Sequence, residues 1–474
     1  MYPKRNTSIQ KKLLLSERSG HLTKLISLDS EEETNFFDCM NIHSLDKQTS
    51  FVAGSLFSGG GLGDVGIEWG AGVPVLGTCE LVSSRAALLR KNFPETKVFE
   101  GDIWKTMDQY ISFFQKKLNL KSPWLLTLSP PCQGMSSNGA GRISSSIRKG
   151  NRPREDQRNR LILPGIDILE SLKPDWFVLE NVRRMENTII RNEHGKVENI
   201  LDCLCRRLHP LGYSIRANMM NFQGFGVPHH RERLITIGCR IPEIVSTYQP
   251  VEVIYSKETS PFHASFSHGG LGQPPLITLR DAIGHLPILD AQNKLVDPED
   301  PYHCIPKWND NQYFWMRSTP EGQTAYDNDQ CVKCGKASSD SSQIECACGF
   351  PLPRPQIFKS GKLRLIHGFR SSYRRMWWDK PAGTLTMNSG VISSDLKCHP
   401  EQNRVLSLRE IIILSTLQHP KWKNNYSFEG IPYGRMESGE NFSKKLIREV
   451  IGESIPPLAM AQIVERLLEV DPRI

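Results

Sequence analysis

An apolar run stopped by two prolines constrains this chain more than any other feature. Residues 124–128 read as a short buried strand, and Pro130 and Pro131 end it because neither can donate a ladder hydrogen bond. Cys132 follows at once, just past the strand's carboxyl end, where an open α/β sheet binds its ligands. A Gly/Ser-rich, basic segment then runs over residues 134–160. Positive charge nearby favours a thiolate, so Cys132 is a candidate nucleophile. The competing reading is a cysteine that merely packs at the strand end.

Other segments repeat the strand-then-polar-tip pattern. Residues 51–57 form an apolar run ending at Phe57, and Ser58-Gly-Gly-Gly-Leu-Gly-Asp64 turns into a helix. In that turn, which begins at Ser58, glycines such as Gly59 and Gly61 let backbone N–H groups approach a ligand closely. The strand over 73–79 ends at Glu80, about 21 residues after Gly59, where a doubly wound fold grips ribose hydroxyls. A helix is predicted over 83–92 and a third strand over 98–100. Beyond it, Asp102 suits an adenine amino group with Ile103 packed on the ring, and suits equally well an N-cap for the next helix. An amphipathic helix over 156–172 leads to a strand over 177–182 carrying Glu180 near its end. Strand, helix and acid-tipped strand in alternation predict an α/β fold, a parallel sheet with helices on both faces. Arg231 and Arg233 stand at the entrance of a further strand.

With 474 residues there is room for two or three domains. Residues 1–49 read as a polar extension and 50–242 as the first domain. From about residue 243 proline, glycine, histidine and serine become frequent, which predicts a smaller irregular domain over 243–435. Residues 436–474 are expected to return to the first domain, closing with a helix over 458–468. The net charge of +8 fits a polyanionic partner without establishing one. No apolar run reaches membrane-spanning length, and the basic first residues lack the apolar core of a secretory signal. Most of the twelve cysteines show no disulfide rhythm, which suits a reducing cytoplasm. The exception is Cys331-Val-Lys-Cys-Gly335 with Cys346-Ala-Cys-Gly349. Cys331, Cys334, Cys346 and Cys348 at this spacing predict a structural zinc knuckle over 331–348, with free or redox-active thiols as the alternative.

Together these segments resemble the DNA (cytosine-5) methyltransferases of the bacterial restriction-modification type, over roughly residues 51–240 and 379–470. Phe57-Ser-Gly-Gly-Gly is similar to the family's cofactor loop, Glu80 to its ribose acid, and Asp102-Ile103 to its adenine contact. Ser129-Pro-Pro-Cys-Gln resembles the nucleophile motif, Glu180-Asn-Val the second catalytic motif, and Arg231-Glu-Arg233 the arginine pair. Asp156-Gln-Arg-Asn-Arg-Leu is similar to the helix opening after a mobile loop. Thr384-Leu-Thr386, Arg404-Val-Leu-Ser-Leu-Arg-Glu410 and the stretch over 452–457, with Ser454, resemble the later motifs. Three positions depart from the family: His229 where Gln is usual, Glu453 where Asn is usual, and Ser55 where Asp is common.

The resemblance implies a Rossmann-like S-adenosylmethionine-dependent large domain, a smaller target-recognition domain and double-stranded DNA between them. Pro130 and Ser454 join the implied cofactor site, and Glu453 adds negative charge near the methionine end. In the implied reaction Cys132 adds to carbon 6 of a flipped-out cytosine, so that carbon 5 can attack a methyl sulfonium. Glu180 would supply a proton at ring nitrogen 3 if a dry pocket kept its carboxyl protonated; Arg233 would hold O2 and orient Glu180, and Arg231 would grip phosphate. The loop with Arg142, Arg148 and Lys149 would close over the base. A monomer, cytoplasmic and nucleoid-associated in a bacterium, is expected, with a cognate restriction endonuclease acting on the same site. Two alternatives compete: tRNA or other RNA cytosine-5 methylation, and a catalytically silent DNA-binding relative. The large insert after the arginine pair favours duplex DNA over the first, and intact Cys132 and Glu180 argue against the second.

Overall fold

Strand alternation puts apolar side chains on both faces of one sheet, and the order of elements follows from covering both. The computed structural model describes residues 51–131, 157–247, 254–255, 264–359, 361–366, 368, 371–436 and 439–474. It opens with β1 (Ala53–Leu56), α1 (Leu62–Val65) running into a π-helical turn over Gly66–Gly70, and β2 (Val75–Glu80). There follow α2 (Ser83–Asn92), β3 (Lys97–Glu100), α3 (Ile103–Lys117) and β4 (Leu125–Leu128). A 3-10 turn over Gln157–Leu161 precedes α4 (Ile162–Leu172), and β5 (Trp176–Asn181) comes next. A small hairpin, β6 (Ile189–Arg191) and β7 (Val197–Asn199), leads into α5 (Ile200–Leu208). Then come β8 (Ser214–Asn221), β9 (Glu232–Cys239), α6 (Pro242–Thr247) and β10 (Ile254–Tyr255).

Eight strands form a single sheet in the order β10-β8-β9-β5-β4-β1-β2-β3. The expectation of a wholly parallel sheet needs one correction: β9 runs antiparallel to both β5 and β8. Only residues 222–231 join β8 to β9, too few for the crossover that a parallel pair requires. Side chains alternate between two cores. Leu126, Leu128, Phe177 and Leu179 point into the core formed with Tyr110 and Phe114 of α3, Ile166 of α4 and Leu204 of α5. Leu125, Trp176 and Val178 point the other way, where α11 (below) brings Ile463, Val464 and Leu467.

The remaining elements are α7 (Leu279–Ile283), α8 (Asp310–Arg317), the hairpin β11 (Gln356–Lys359) and β12 (Lys362–Leu365), α9 (Leu408–Leu414), α10 (Lys444–Glu453) and α11 (Pro457–Val470). The irregular region has a core of its own, built from Leu289, Trp308, Trp315, Met316, Tyr373, Ile392 and Val405 among others. Segments on both sides of residue 436 pack against the first domain. Leu408, Ile411, Trp422 and Phe428 share one cluster with Leu62, Leu88 and Phe93. Trp124 Nε1 donates to Asp471 Oδ2 at 2.8 Å, so the last helix is tied to the strand that precedes Cys132. Among the described residues no helix is long and apolar enough to cross a membrane.

Candidate active site

Strand order reverses between β1 and β4, which are neighbours although β2 and β3 lie between them in sequence. The turn after β1 and the proline pair after β4 therefore flank the crevice that such a reversal creates. Direction matters as much as order. Because β9 is antiparallel, its start lies at the carboxyl edge of β5, with Leu234 opposite Asn181. That register brings Arg233 to the same edge as Glu180.

On the β1 side, Glu80 is 6% exposed, and its two carboxylate oxygens accept from the amides of Gly59 and Val82, both at 2.8 Å. Burial raises its carboxyl pKa, opposed by the Val82 amide, Arg85 and the Gly59 amide and reinforced by Glu453. Phe57 and Gly59 both have left-handed backbones, φ 59° and 58°, a conformation that costs a phenylalanine energy and is met mainly where function or packing enforces it. A Cβ at Gly59 would meet only Ser454 Oγ, 3.9 Å away, so the turn leaves open space over its backbone. Ser58 Oγ bonds the hydroxyls of Ser55 and Thr78 at 2.6 Å, which fixes the turn from below. Gly61 caps α1 with φ 82°, and a side chain there would strike Phe93. Asp102 is the N-cap of α3, accepting from the Trp104 amide at 3.2 Å, and Ile103 is buried beside it. An open glycine backbone next to a buried acid fits a nucleoside-bearing cofactor; the Asp102 cap leaves an oxygen over for a further bond.

On the β4 side, Arg233 Nε donates to Glu180 Oε1 at 2.8 Å, with side-chain exposures of 13% and 9%. The two side chains thus meet at the sheet edge, Arg233 from the start of β9 and Glu180 from the end of β5. Asn181 Nδ2 donates to the Pro130 carbonyl at 3.0 Å, tying the tip of β5 to the proline pair. Cys132 and the loop carrying Arg142, Arg148 and Lys149 lie outside the described residues.

Arg231 corrects an expectation. It is 1% exposed and donates to the backbone carbonyls of Leu385 and Gly452 at 3.2 and 3.1 Å, so it cannot grip phosphate. Its guanidinium instead joins the strand entrance to two later segments, where Ala382 exchanges backbone bonds with Pro228 and His230 and the Thr384 hydroxyl donates to the His230 carbonyl. The other departures are also accounted for. Burial, with Arg231 close by, pushes His229 down to about 3, so it is a neutral stand-in for glutamine. Glu453 pairs with Arg85 at 2.6 Å, which offsets its charge beside the cofactor crevice. Ser55 donates to the buried Asp64 at 3.1 Å, so a carboxylate sits one hydrogen bond away from the position that lacks it.

Sequence reading missed Arg85 and Tyr426 as parts of this region, and gave Asp64 a place in the turn but no role. Tyr426 donates its hydroxyl to the Gly60 carbonyl at 2.5 Å, across 366 residues of chain. Only the basic residue following Glu80 on the next helix signalled Arg85; Tyr426 left no local trace.

The family model for C-5 cytosine-specific DNA methylases matches residues 51–469. The type II methyltransferase M1.HgaI of Avibacterium volantium is 27% identical over 435 residues, covering 87% of this chain and 97% of that one. M1.HphI of Haemophilus parahaemolyticus, also a type II methyltransferase, is 24% identical, covering 91% and 88%. The crystal structure of a prophage-encoded E. coli protein, named as a DNA modification methyltransferase, superposes with a TM-score of 0.53 at 17% identity, over 89% of this chain and 99% of that one. The chain belongs to the C-5 cytosine-specific DNA methylase family and is a DNA (cytosine-5)-methyltransferase.

Proposed function

We propose that this enzyme methylates carbon 5 of a flipped-out cytosine within a specific double-stranded DNA sequence, through a covalent Cys132 adduct. The observation that carries the reading is the Glu180–Arg233 pair, held at the sheet edge whose neighbouring strand runs through Pro130 and Pro131 into Cys132. S-adenosylmethionine, when bound, supplies the electrophilic methyl group. Phe57, Ser58, Gly59, Gly61, Glu80, Asp102, Ile103, Pro130 and Ser454 are the residues that would hold it. The Cys132 thiolate adds to carbon 6, and the ring electrons displaced toward nitrogen 3 are met there by a proton from Glu180. Arg233 keeps the Glu180 carboxyl aimed and lies within reach of the cytosine O2. Methyl transfer leaves one proton on carbon 5; its loss to water expels the cysteine thiolate, and return of the nitrogen 3 proton to Glu180 restores the neutral aromatic ring.

Residues of the irregular domain read the DNA, and a zinc ion on Cys331, Cys334, Cys346 and Cys348 stiffens it. The type II names of the relatives support a partner endonuclease that cuts the same unmethylated site. The same reading makes the enzyme a cytoplasmic monomer working on nucleoid DNA. A duplex carrying 5-fluorocytosine at the target tests the covalent step, because the carbon 5 fluorine cannot leave as a proton would. The wild type should give a denaturant-resistant protein–DNA complex, and Cys132→Ser should give none while losing several orders of magnitude in turnover. Near-normal turnover in the serine variant would sink the covalent mechanism, and equal turnover on tRNA would sink the choice of duplex DNA.

A further inference from the structure

Residues 327–349 are polar and serine-rich, and the apolar cluster beneath them is only Cys331, Cys346 and Leu352 with Phe350 against it. So little burial cannot offset the entropy of ordering such a stretch. The backbone is nevertheless folded into two tight loops. Cys331 accepts from the Gly335 amide and Cys346 from the Gly349 amide, both at 2.8 Å, with Gly335 and Gly349 left-handed at φ 71° and 76°. The loops face each other through sulfur. Cys331 Sγ lies 3.7 Å from Cys348 Sγ, Cys334 Sγ lies 3.5 Å from Cys346 Sγ, and all four sulfurs fall within 4.8 Å of one another. A tetrahedral zinc ion with bonds of about 2.3 Å sets its sulfurs roughly 3.8 Å apart.

The chain leaving this cluster is clamped. Arg354, 2% exposed, donates to the carbonyls of Asn328, Asp340 and Gln343 at 2.6, 2.7 and 2.7 Å. Asn328 in turn donates to the Pro353 carbonyl at 2.6 Å and to that of Trp315 at 2.9 Å. Two residues after Arg354 the ribbon β11–β12 begins, paired in register from Gln356↔Leu365 to Lys359↔Lys362. A ribbon of two strands has little stability alone, so its aim depends on what holds its base. Its surface carries Phe358, 71% exposed, and Ile357, 53% exposed, together with exposed Lys359, Lys362 and Arg364. A two-stranded ribbon fits the major groove, lysine and arginine meet phosphate, and an aromatic face packs on a thymine methyl.

We propose that Cys331, Cys334, Cys346 and Cys348 bind one zinc ion whose role is to hold the β11–β12 ribbon in the major groove of the substrate duplex, with Arg354 transmitting the constraint. The inference rests on the reading that this chain methylates duplex DNA. Elemental analysis of the full-length protein should find about one zinc per chain, absent from Cys334→Ser. Cobalt(II) exchanged into the wild type should show the intense visible bands of tetrahedral thiolate coordination. Stripping zinc with a chelator should weaken binding to the methylated site identified by bisulfite sequencing of host DNA, on the order of ten- to hundredfold. Adding zinc chloride should restore that binding, and affinity for S-adenosylmethionine should not change. With zinc bound, Phe358→Ala should raise KM for the site more than it lowers kcat. Lys359→Ala/Lys362→Ala should reduce the salt dependence of binding by about one to two counterions. Metal-free protein with full site recognition would overturn the metal site, and ribbon variants with unchanged KM and salt dependence would overturn the ribbon's role. A zinc-loaded wild type inactive on all duplexes would instead overturn the reading on which both depend.

Discussion

The carboxyl edge of the sheet and the cysteine loops of the small domain both present reactive side chains on short stretches of backbone, yet they are held by different means. At the sheet edge Glu180 and Glu80 end strands whose neighbours Leu179 and Cys79 sit in a large buried core. Hydrogen bonds that span hundreds of residues, such as Tyr426 to Gly60, then trim the positions. The cysteine loops have almost no core, and their order comes from backbone turns and sulfur. A packed scaffold can therefore carry buried charge and strained backbone near its active centre, whereas a loop region must keep its ligands themselves as the scaffold. Mutations at the edge should separate chemistry from stability; those at the cysteines should not.

The largest test of that separation is Glu180→Gln. It should slow single-turnover methylation roughly 10²–10⁴-fold with little change in unfolding, because an amide keeps the shape but cannot deliver the proton. An unchanged rate across pH would remove Glu180 from the chemistry. Next is a buried pair at the start of α9: Arg404 and Glu410, 1% and 0% exposed, are paired at 2.7 Å. Although burial would raise it, the Arg404 charge and hydrogen bonds hold the Glu410 carboxyl down at about 2. Glu410→Gln strands the guanidinium in the core and should cost about 3–5 kcal/mol in urea unfolding. A loss below about 1 kcal/mol would show that this side of the molecule does not depend on the pair.

A third test uses pH. Burial pushes the Asp64 carboxyl from 3.8 up to about 7, with the Ser55 hydroxyl opposing and Glu68 reinforcing the shift. Between those values the folded chain holds a proton that the unfolded chain has released, so this group makes stability fall as pH rises, with no further loss above about 7. Asp64→Asn should remove that fall, matching the wild type near pH 4 and exceeding it by up to about 4 kcal/mol at pH 8. Thermal melts showing the same gain at both pH values would refute the assignment. The smallest effect belongs to Glu453→Gln. The Arg85–Glu453 pair is partly exposed, so stability should move by less than about 1 kcal/mol. Calorimetric affinity for S-adenosylmethionine should change only a few-fold; a larger change would mean that Glu453 touches the cofactor.

Much of this was legible in one dimension because the signals are local. The α2 helix appears over the predicted 83–92, the strand ahead of the two prolines is β4, and Asp102 caps α3 as one of its two readings required. Spacing within a short segment also put the four cysteines together. The direction of β9 was less accessible, since apolar alternation reads the same in either direction; only the short connection to β8 decides it. Arg231 shows the same limit. An arginine at a strand entrance looks solvated in sequence, and Leu385 and Gly452, whose carbonyls it bonds, come more than 150 positions later.

Sequence alone was sufficient to determine the strand tips, the glycine turn, the acids at their ends and the cysteine pairs, because each depends on the propensities of neighbouring residues. Tertiary structure decided which of these meet. The antiparallel β9 aims Arg233 at Glu180, Arg85 comes to face Glu453, and Arg231 becomes an internal brace. Those outcomes depend on packing and charge pairing between residues distant in the chain, and such pairings exist only once both faces of the sheet are covered.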